Sequence, residues 1–504
     1  MKKINLYKLQ QLLLLIFIMV SVVLSAERPA DQNNSEGAEG KTGIIKRYSS
    51  GFYEIKPNGL KVLHLKGSGY ERGYQYGYMM KDEIESSLKS GTTLFAVYIG
   101  DGDYNKGLER IFRGKEEMEP YIPYEFLEEM KGMADALKDM GSDLTYDDIV
   151  MWNTINDSKM LHKGPCSIED DLPVGRRIPF PDHGGCMTAA SWGDATRDGS
   201  MIVGKNMDWY NTPEMRENPI VLVVKPTDGG YGYLTPVYPG WITCIEGTNE
   251  KNVSVGMQIS KSDVETMKGA GWHFLTALIL KYSDSVDDAI DILAVHPRPC
   301  GNIFEVCDAK TEKAVVVETT ANDLAIRYNV KGKDILWTTN HFNCYPGWEG
   351  YNGTVNMPAK QEKFYKLDMT SIESWQKTIP MWTNGRFVRT RQIFDENYGN
   401  MTVEKMISLL SDRFCMKQKK QVDWNDLHAV CIADVWSRDK ELANIKFYKS
   451  GDKKKPVLYT GGNVWSLVMK PLTGDVRIAM SGPVPAQRGP YMYINLFDEL
   501  KKMQ

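Results

Sequence analysis

The sequence predicts a layered α+β protein with helices packed outside β-sheets. Two observations carry this: apolar residues recur with helical period up to about residue 158 and with strand period beyond residue 186, and helical blocks then return between and after the strands. No repeat of fixed period is visible, which argues against solenoids and propellers. The chain has 504 residues, 42% hydrophobic and 25% charged, so it can bury a large core and is neither a disordered tail nor a fibre. With 61 Lys+Arg against 65 Asp+Glu, the net charge of −4 gives no reason to expect a nucleic acid as partner.

Taken in order, Lys2, Lys3 and Lys8 precede an apolar run from Leu12 to Leu24, and Ser25-Ala26 offers small residues for cleavage. Residues 1–26 read as a signal peptide, so the protein is expected to be exported. A run of about 13 residues is short for a membrane span, and Glu27, Arg28 and Asp31 follow at once. Residues 27–42 are a polar leader. Residues 43–185 read as mostly helical: Phe126, Leu127, Met130, Met133, Ala134 and Leu137 form one stripe between Pro120 and Gly141, and Thr145 with Asp148 forms a capping box for a second helix. From Lys159 to Gly185, four prolines and four glycines mark an exposed connection and a boundary before residues 186–504.

Beyond the boundary, Val253, Val255, Met257 and Ile259 alternate with polar or small residues, the pattern of a half-buried strand. Ile220–Lys225, Lys313–Thr319 and Asp334–Asn340 are β-rich runs of strand length. Trp272–Tyr282, Val286–Val295 and Thr402–Leu410 read as helices.

Eight cysteines in a chain this long cannot form a disulfide scaffold, and their spacing lacks the tight pairs of a zinc site, so no metal is expected. One of them stands out. Cys186 follows Gly184-Gly185 at the end of the connection and starts a strand-like run that meets Asp198-Gly199, a two-residue hairpin signal. Pairing outward from that turn sets Asp208 opposite Ala189, roughly 10 Å along the strand from Cys186, and one bulge or a bend at Gly204 would close the gap. If the Gly185–Cys186 bond breaks, Cys186 owns a thiol and a free α-amine. That amine titrates near 8 and can take the thiol proton, so nucleophile and base reside in one residue.

Gly185-Cys186, Trp192-Gly193, Asp198-Gly199 and Gly204-Lys-Asn-Met-Asp-Trp209 together resemble the N-terminal-nucleophile (Ntn) hydrolases, specifically the acyl-coenzyme A:6-aminopenicillanic acid acyltransferase family, related to choloylglycine hydrolases and penicillin V acylases. Further pieces fall in the family's order: Gly67-Ser-Gly-Tyr-Glu-Arg-Gly-Tyr-Gln-Tyr-Gly77 and Asp147–Asn153 upstream, Glu246-Gly-Thr-Asn249, Thr338-Thr-Asn-His-Phe342 and Gly385-Arg-Phe-Val-Arg389 downstream.

The resemblance implies a four-layer αββα sandwich and a precursor that cuts itself between Gly185 and Cys186. It implies Cys186 as nucleophile, Asp208 holding its amino group, Asn340 donating to the oxyanion and Arg386 organising the surroundings. Gln258, Lys205 and Asn206 are candidate oxyanion or pocket positions, with Lys205 a departure from the Arg of choloylglycine hydrolases, whose planar two-toothed grip Lys cannot reproduce. The reaction implied is hydrolysis of, or acyl transfer from, a linear amide through a thioester, and it needs no metal or organic cofactor. The substrate class is a small acyl amide or a lipid-like molecule, and homo-oligomerisation stays open.

Read without the resemblance, Asp208 and Asn340 also suit turns, Arg386 and Arg389 suit the surface, and His183 or His341 suits a papain-like Cys-His pair. A lipid amidase or phospholipase B-like hydrolase using the same thiol, and a secreted binding protein without catalysis, are the competing functions.

Overall fold

The computed structural model describes residues 42–100, 103–158, 185–348, 350–352, 355–424, 431–432, 435–436, 460–480 and 485–504. The signal peptide, the leader, most of the connection, Cys166 and His183 lie outside the described residues.

Three strands come first, β1 (Gly43–Tyr48), β2 (Gly51–Ile55) and β3 (Lys61–Gly67), then α1 (Gly69–Ile99), α2 (Tyr104–Met118), α3 (Tyr124–Asp139) and α4 (Tyr146–Ser158). Next are β4 (Met187–Gly193), β5 (Gly199–Asn211), α5 (Pro213–Glu217), β6 (Ile220–Pro226), β7 (Tyr233–Val237), β8 (Glu246–Asn249) and β9 (Val253–Ile259). After α6 (Trp272–Tyr282) and α7 (Val286–Val295) follow β10 (Asn302–Asp308), β11 (Lys313–Thr319), β12 (Leu324–Tyr328), β13 (Ile335–Thr338) and β14 (Tyr351–Asn352). The last part holds α8 (Glu362–Tyr365), α9 (Ile372–Thr378), α10 (Met381–Asn397), α11 (Val403–Leu410), the short β15 (Phe414–Cys415), β16 (Lys420–Gln421) and β17 (Val435–Trp436), then β18 (Thr460–Lys470), β19 (Asp475–Met480), β20 (Met492–Asn495) and α12 (Leu496–Lys501).

Among the described residues the larger sheet runs β1-β2-β3-β6-β7-β8-β9-β10-β11-β12-β14, and the smaller runs β13-β4-β5-β18-β19-β20. The two sheets face each other: Lys205 of β5 reaches the main-chain oxygen of Met257 in β9, and Thr338 of β13 reaches Glu305 of β10. Helix α6 covers the outer face of the larger sheet, where Asn249 donates to the main-chain oxygens of Leu280 and Ser283. Helices α10 and α11 cover the smaller one, with Trp337 donating to the Phe387 oxygen and Met406 and Leu410 against Gly204. This is the expected four-layer αββα order.

The mostly helical N-terminal region is present as α1 to α4, and ahead of it residues 43–67 form three strands that extend the larger sheet, β3 pairing parallel with β6 from Val62 opposite Val221 to Gly67 opposite Pro226. The first of these strands is almost wholly exposed and in β3 the adjacent Val62, Leu63, His64 and Leu65 are all buried, so no period of two marks them. Strand β9 is buried along its whole length, because its apolar side meets the core and its polar side the opposing sheet.

The Gly67–Gly77 motif has a packing cause. Ser68 and Glu71 cap α1, and Gly69, Gly73 and Gly77 form a stripe facing α3, where a Cβ on Gly73 would sit 1.7 Å from the Glu129 main-chain oxygen. Arg72 on the same turn pairs with buried Glu129 at 2.8 Å and donates to the Gly67 oxygen. The Thr145–Asp148 box is present as read, with Thr145 N donating to Asp148 Oδ2 at 2.8 Å.

Candidate functional site

The hairpin that positions the site differs from a two-residue Asp-Gly turn. Strands β4 and β5 pair as Gly193 opposite Gly199, with residues 194–198 as the loop and an irregularity between Ser191 and Gly193. Asp198 instead closes the loop by accepting from the amide of Ser200 at 3.1 Å. The longer loop and irregularity change the register, so that Met187 faces Asn206. Continuing it outward brings Asp208 opposite Gly185, and no bend at Gly204 is needed.

Cys186 is therefore next to the end of β5: its Sγ donates to the Asp208 main-chain oxygen at 3.5 Å and touches Met207 Sδ at 3.8 Å. The thiol is buried, and burial pushes its pKa up, with Lys205 pulling the other way and Asp208 adding to the rise. Arg386, fully buried on α10, reaches the same point from the outer layer. Its Nη1 donates to the main-chain oxygens of both Gly185 and Cys186, its Nη2 to Asn340 Oδ1 at 2.8 Å, and its Nε to the Trp382 oxygen at 2.8 Å. Asn340, just after β13, gives one amide hydrogen to the Ile259 oxygen at 2.8 Å. A primary amide has two, so the second is left for another acceptor. Four residues dispersed over 200 positions are thus linked: Arg386 joins the Gly185 and Cys186 carbonyls to Asn340, and the Cys186 thiol lies on the main-chain oxygen of Asp208.

The other candidates are close but engaged differently. Gln258 on β9 bridges the hydroxyls of Thr188 and Thr338 across the two sheets. Lys205 is completely buried and gives Nζ to the Met257 oxygen at 2.6 Å. Asn206 is the one turned elsewhere: it donates to the Leu410 oxygen of α11 at 3.0 Å and accepts from Ser466, so it ties β5 to the outer helix and not to the thiol. His341 pairs with the hydroxyls of Thr339 and Thr383, and burial with Arg386 and Arg327 nearby lowers its pKa to about 3. It is held neutral and does not form a Cys-His pair in this arrangement. Arg389 binds Asp412.

Sequence reasoning missed the buried acids between the sheets. Glu246, at the start of β8, accepts from the Trp465 indole, and burial lifts its pKa to about 7 against the pull of Lys205. Glu305 is lifted to about 8 by burial, opposed by Arg327. Glu246 opens the Glu246–Asn249 run, but a lone acid in a β-rich run gives no sign that it points inward. Cys244, Cys300, Cys307 and Cys344 are buried thiols without disulfides.

Residues 195–433 match the model of the acyl-coenzyme A:6-aminopenicillanic acid acyl-transferase family. This is the family that the motifs resemble. The acyl-transferase match contains Lys205, Asp208, Gln258, Asn340 and Arg386 and begins just after Cys186. The chain is 28% identical over 305 residues to an uncharacterised protein of Archaeoglobus fulgidus, covering 58% of this chain and 49% of that one. It is 22% identical over 285 residues to protein dcd1B of Dictyostelium discoideum, covering 52% and 51%. The chain thus spans about half the length of these curated relatives. Similar solved structures include a Caenorhabditis elegans N-acylethanolamine-hydrolyzing acid amidase ortholog (15% identity, TM-score 0.34, 57% of this chain and 93% of that one) and a penicillin V acylase of Agrobacterium tumefaciens (11%, 0.35, 62% and 86%).

One group of metal-ligating type exists among the described residues, Glu54, His64 and Glu499, whose ligand atoms lie within 4.8 Å of one another. Its carboxylates are already paired with Lys56 and Lys502. Among the described residues no helix is long and apolar enough to cross a membrane.

Proposed function

We propose that this protein is an exported cysteine Ntn hydrolase or acyltransferase that cuts its own Gly185–Cys186 bond and then cleaves a linear acyl amide through a thioester on Cys186. The observation that carries the reading is Arg386 bound at once to the Gly185 oxygen, the Cys186 oxygen and Asn340. A guanidinium on a main-chain carbonyl draws charge towards its oxygen, which makes the carbonyl carbon a better target.

In the first step Cys186 Sγ attacks the Gly185 carbonyl carbon. A C–S bond forms, the C–N bond breaks, and the thiol proton passes to the nitrogen that becomes the Cys186 amine. Water then cleaves the thioester, leaving a Gly185 carboxylate and the free thiol. In each later cycle the amine takes the thiol proton, the thiolate attacks the substrate carbonyl, and the amine product leaves carrying the proton. The second amide hydrogen of Asn340 is available to the oxyanion, and the Asp208 carboxylate is assigned to the ammonium. Water or a second amine resolves the thioester. The acyl transfer named by the matching family fits the second outcome.

The test is intact mass spectrometry with N-terminal sequencing of the purified protein. Pieces of roughly 18 and 36 kDa, estimated from chain length, with a new N-terminal Cys186 are expected. An active protein that stays one chain overturns the reading. Cys186→Ala should abolish both the cut and the hydrolysis of acyl amides. Preference for phospholipids in the same screen would favour the lipid hydrolase, and unaffected behaviour of Cys186→Ala the binding protein.

A further inference from the structure

The C-terminal helix carries a second polar cluster, buried at His64 and Glu499 and open to solvent at Lys502, built on elements that the catalytic residues do not use. Lys502, at the end of α12, places Nζ 2.7 Å from Glu54 Oε1 and 3.0 Å from Glu499 Oε2. His64 of β3 meets Glu499 Oε2 at 2.9 Å, and Lys56, just after β2, lies 3.2 Å from Glu54 and also contacts Glu499. Two carboxylates thus face two ammonium groups. The His64 ring stacks on Phe52 with centroids 4.0 Å apart and has no exposed side-chain surface, while that of Glu499 is 4% exposed. On the neighbouring turn, Leu500 packs against Gly232, and Phe497 packs against Gly474.

Three of these five residues precede the proposed cut and two follow it. We propose that α12 is a latch that retains the N-terminal segment, residues 42–158, as a bound partner of the catalytic piece once the chain is severed. The partner role rests on the self-cleavage reading, but the latch itself does not. Without it, strands β1 to β3 would keep the parallel ladder to β6, the contacts of α1 and a few single hydrogen bonds, such as Lys61 to the Glu217 oxygen and Asn58 to the Tyr493 oxygen. Parting the halves would break the Lys56–Glu499 and Lys502–Glu54 pairs and the His64–Glu499 hydrogen bond, leaving each half only its own pair, Glu54–Lys56 or Glu499–Lys502.

The fragment is also needed by the catalytic piece. Trp152 donates to the Pro239 oxygen, Asn153 bridges the Gly240 oxygen and the Ile242 amide, and Tyr76 accepts from the Gly240 amide, so the turn before Cys244 is moulded on the N-terminal helices.

The groups facing Glu499 are His64, Lys56 and Lys502, with Glu54 across from the lysines. These partners hold the Glu499 carboxyl far below the usual range against the opposing effect of burial, and Lys502 far above its own. Burial lowers the His64 pKa, against the opposing pull of Glu499 and Glu54. A depressed carboxyl adds stability that is present above its unfolded value and lost only as pH falls through the folded one, so the latch holds through mild acid.

Hydrogen exchange measured on the uncut, full-length Cys186→Ala protein tests the latch. Lys502→Glu in that background should raise exchange of residues 51–65 by about tenfold or more, while residues 253–259 stay protected. Adding Glu54→Lys to Lys502→Glu should restore protection. Unchanged exchange in Lys502→Glu, or a uniform rise that the second substitution does not reverse, overturns the latch.

The partner role is read on the self-cut protein by gel filtration at pH 5 and pH 7.5. Co-elution of the two pieces in the parent, and loss of the smaller one in Lys502→Glu, is expected. Retention of the smaller piece in Lys502→Glu overturns the role. Absence of any cut removes the self-cleavage reading and the partner role with it, while the exchange result still decides the latch.

Discussion

Arg386 and Gly185, 201 positions apart, are joined by a hydrogen bond from the guanidinium to the main-chain oxygen. That oxygen belongs to the peptide bond which the nucleophile would have to attack. The same guanidinium is held by Asn340 and by the Trp382 oxygen, so it arrives preorganised.

Arg386→Gln should therefore slow maturation. Losing one preorganised donor to a developing oxyanion costs about 3 kcal/mol, or about 100-fold in rate. A time course of precursor and product on denaturing gels reads this directly. Cutting at the parental rate would show that the guanidinium is only structural.

Gly73→Ala should destabilise the fold although Ala is the better helix former. A methyl group 1.7 Å from the Glu129 oxygen cannot be accommodated unless α1 and α3 separate. The overpacking cost of about 3 kcal/mol outweighs a propensity gain of about 1 kcal/mol. Equilibrium unfolding in urea measures the net loss, and a variant as stable as the parent would refute the close packing.

Glu305 makes stability depend on pH. Its carboxyl is lifted from the ordinary 4.5 to about 8, first by burial, so between those values the folded state holds a proton that the unfolded state has lost. Stability then falls as pH rises through that window, by at most about 1.4 kcal/mol per unit. Glu305→Gln should remove this slope, its advantage over the parent growing from pH 5 to pH 8. Urea midpoints at three pH values check it, and a constant gap would contradict the assignment.

Lys205→Met should make the Cys186 thiol harder to ionise, because Lys205 is the nearby charge that opposes the effect of burial on it. The pH midpoint for alkylation of Cys186 in the cut protein is expected to move upward. A midpoint that stays in place would mean the ammonium acts only on the Met257 oxygen and Glu246.

Much of the scaffold was legible locally. The alternation from Val253 to Ile259, the helices from Trp272 and Val286, and the Thr145–Asp148 box lie where period and capping put them. The Ser68-Gly-Tyr-Glu71 box that opens α1 was equally readable and went unread. The hairpin went wrong because Asp198-Gly199 also suits the end of a longer loop. Local turn chemistry cannot tell these apart, and the difference moves Asp208 by four positions along its partner, from Ala189 to Gly185.

The sequence by itself determined several of the helices and strands, that a Cys following two glycines precedes a strand, and which polar residues were candidates to accompany it. Period, capping and backbone freedom act over a few neighbours and are written in the chain. Only the tertiary structure decided that Arg386 grips the Gly185 carbonyl, that Asn206 faces α11, and that Lys205, Glu246 and Glu305 are buried between two sheets. Those outcomes depend on register and layer stacking, where one shifted residue reverses which face a side chain takes, and on desolvation, which exists only after the layers close.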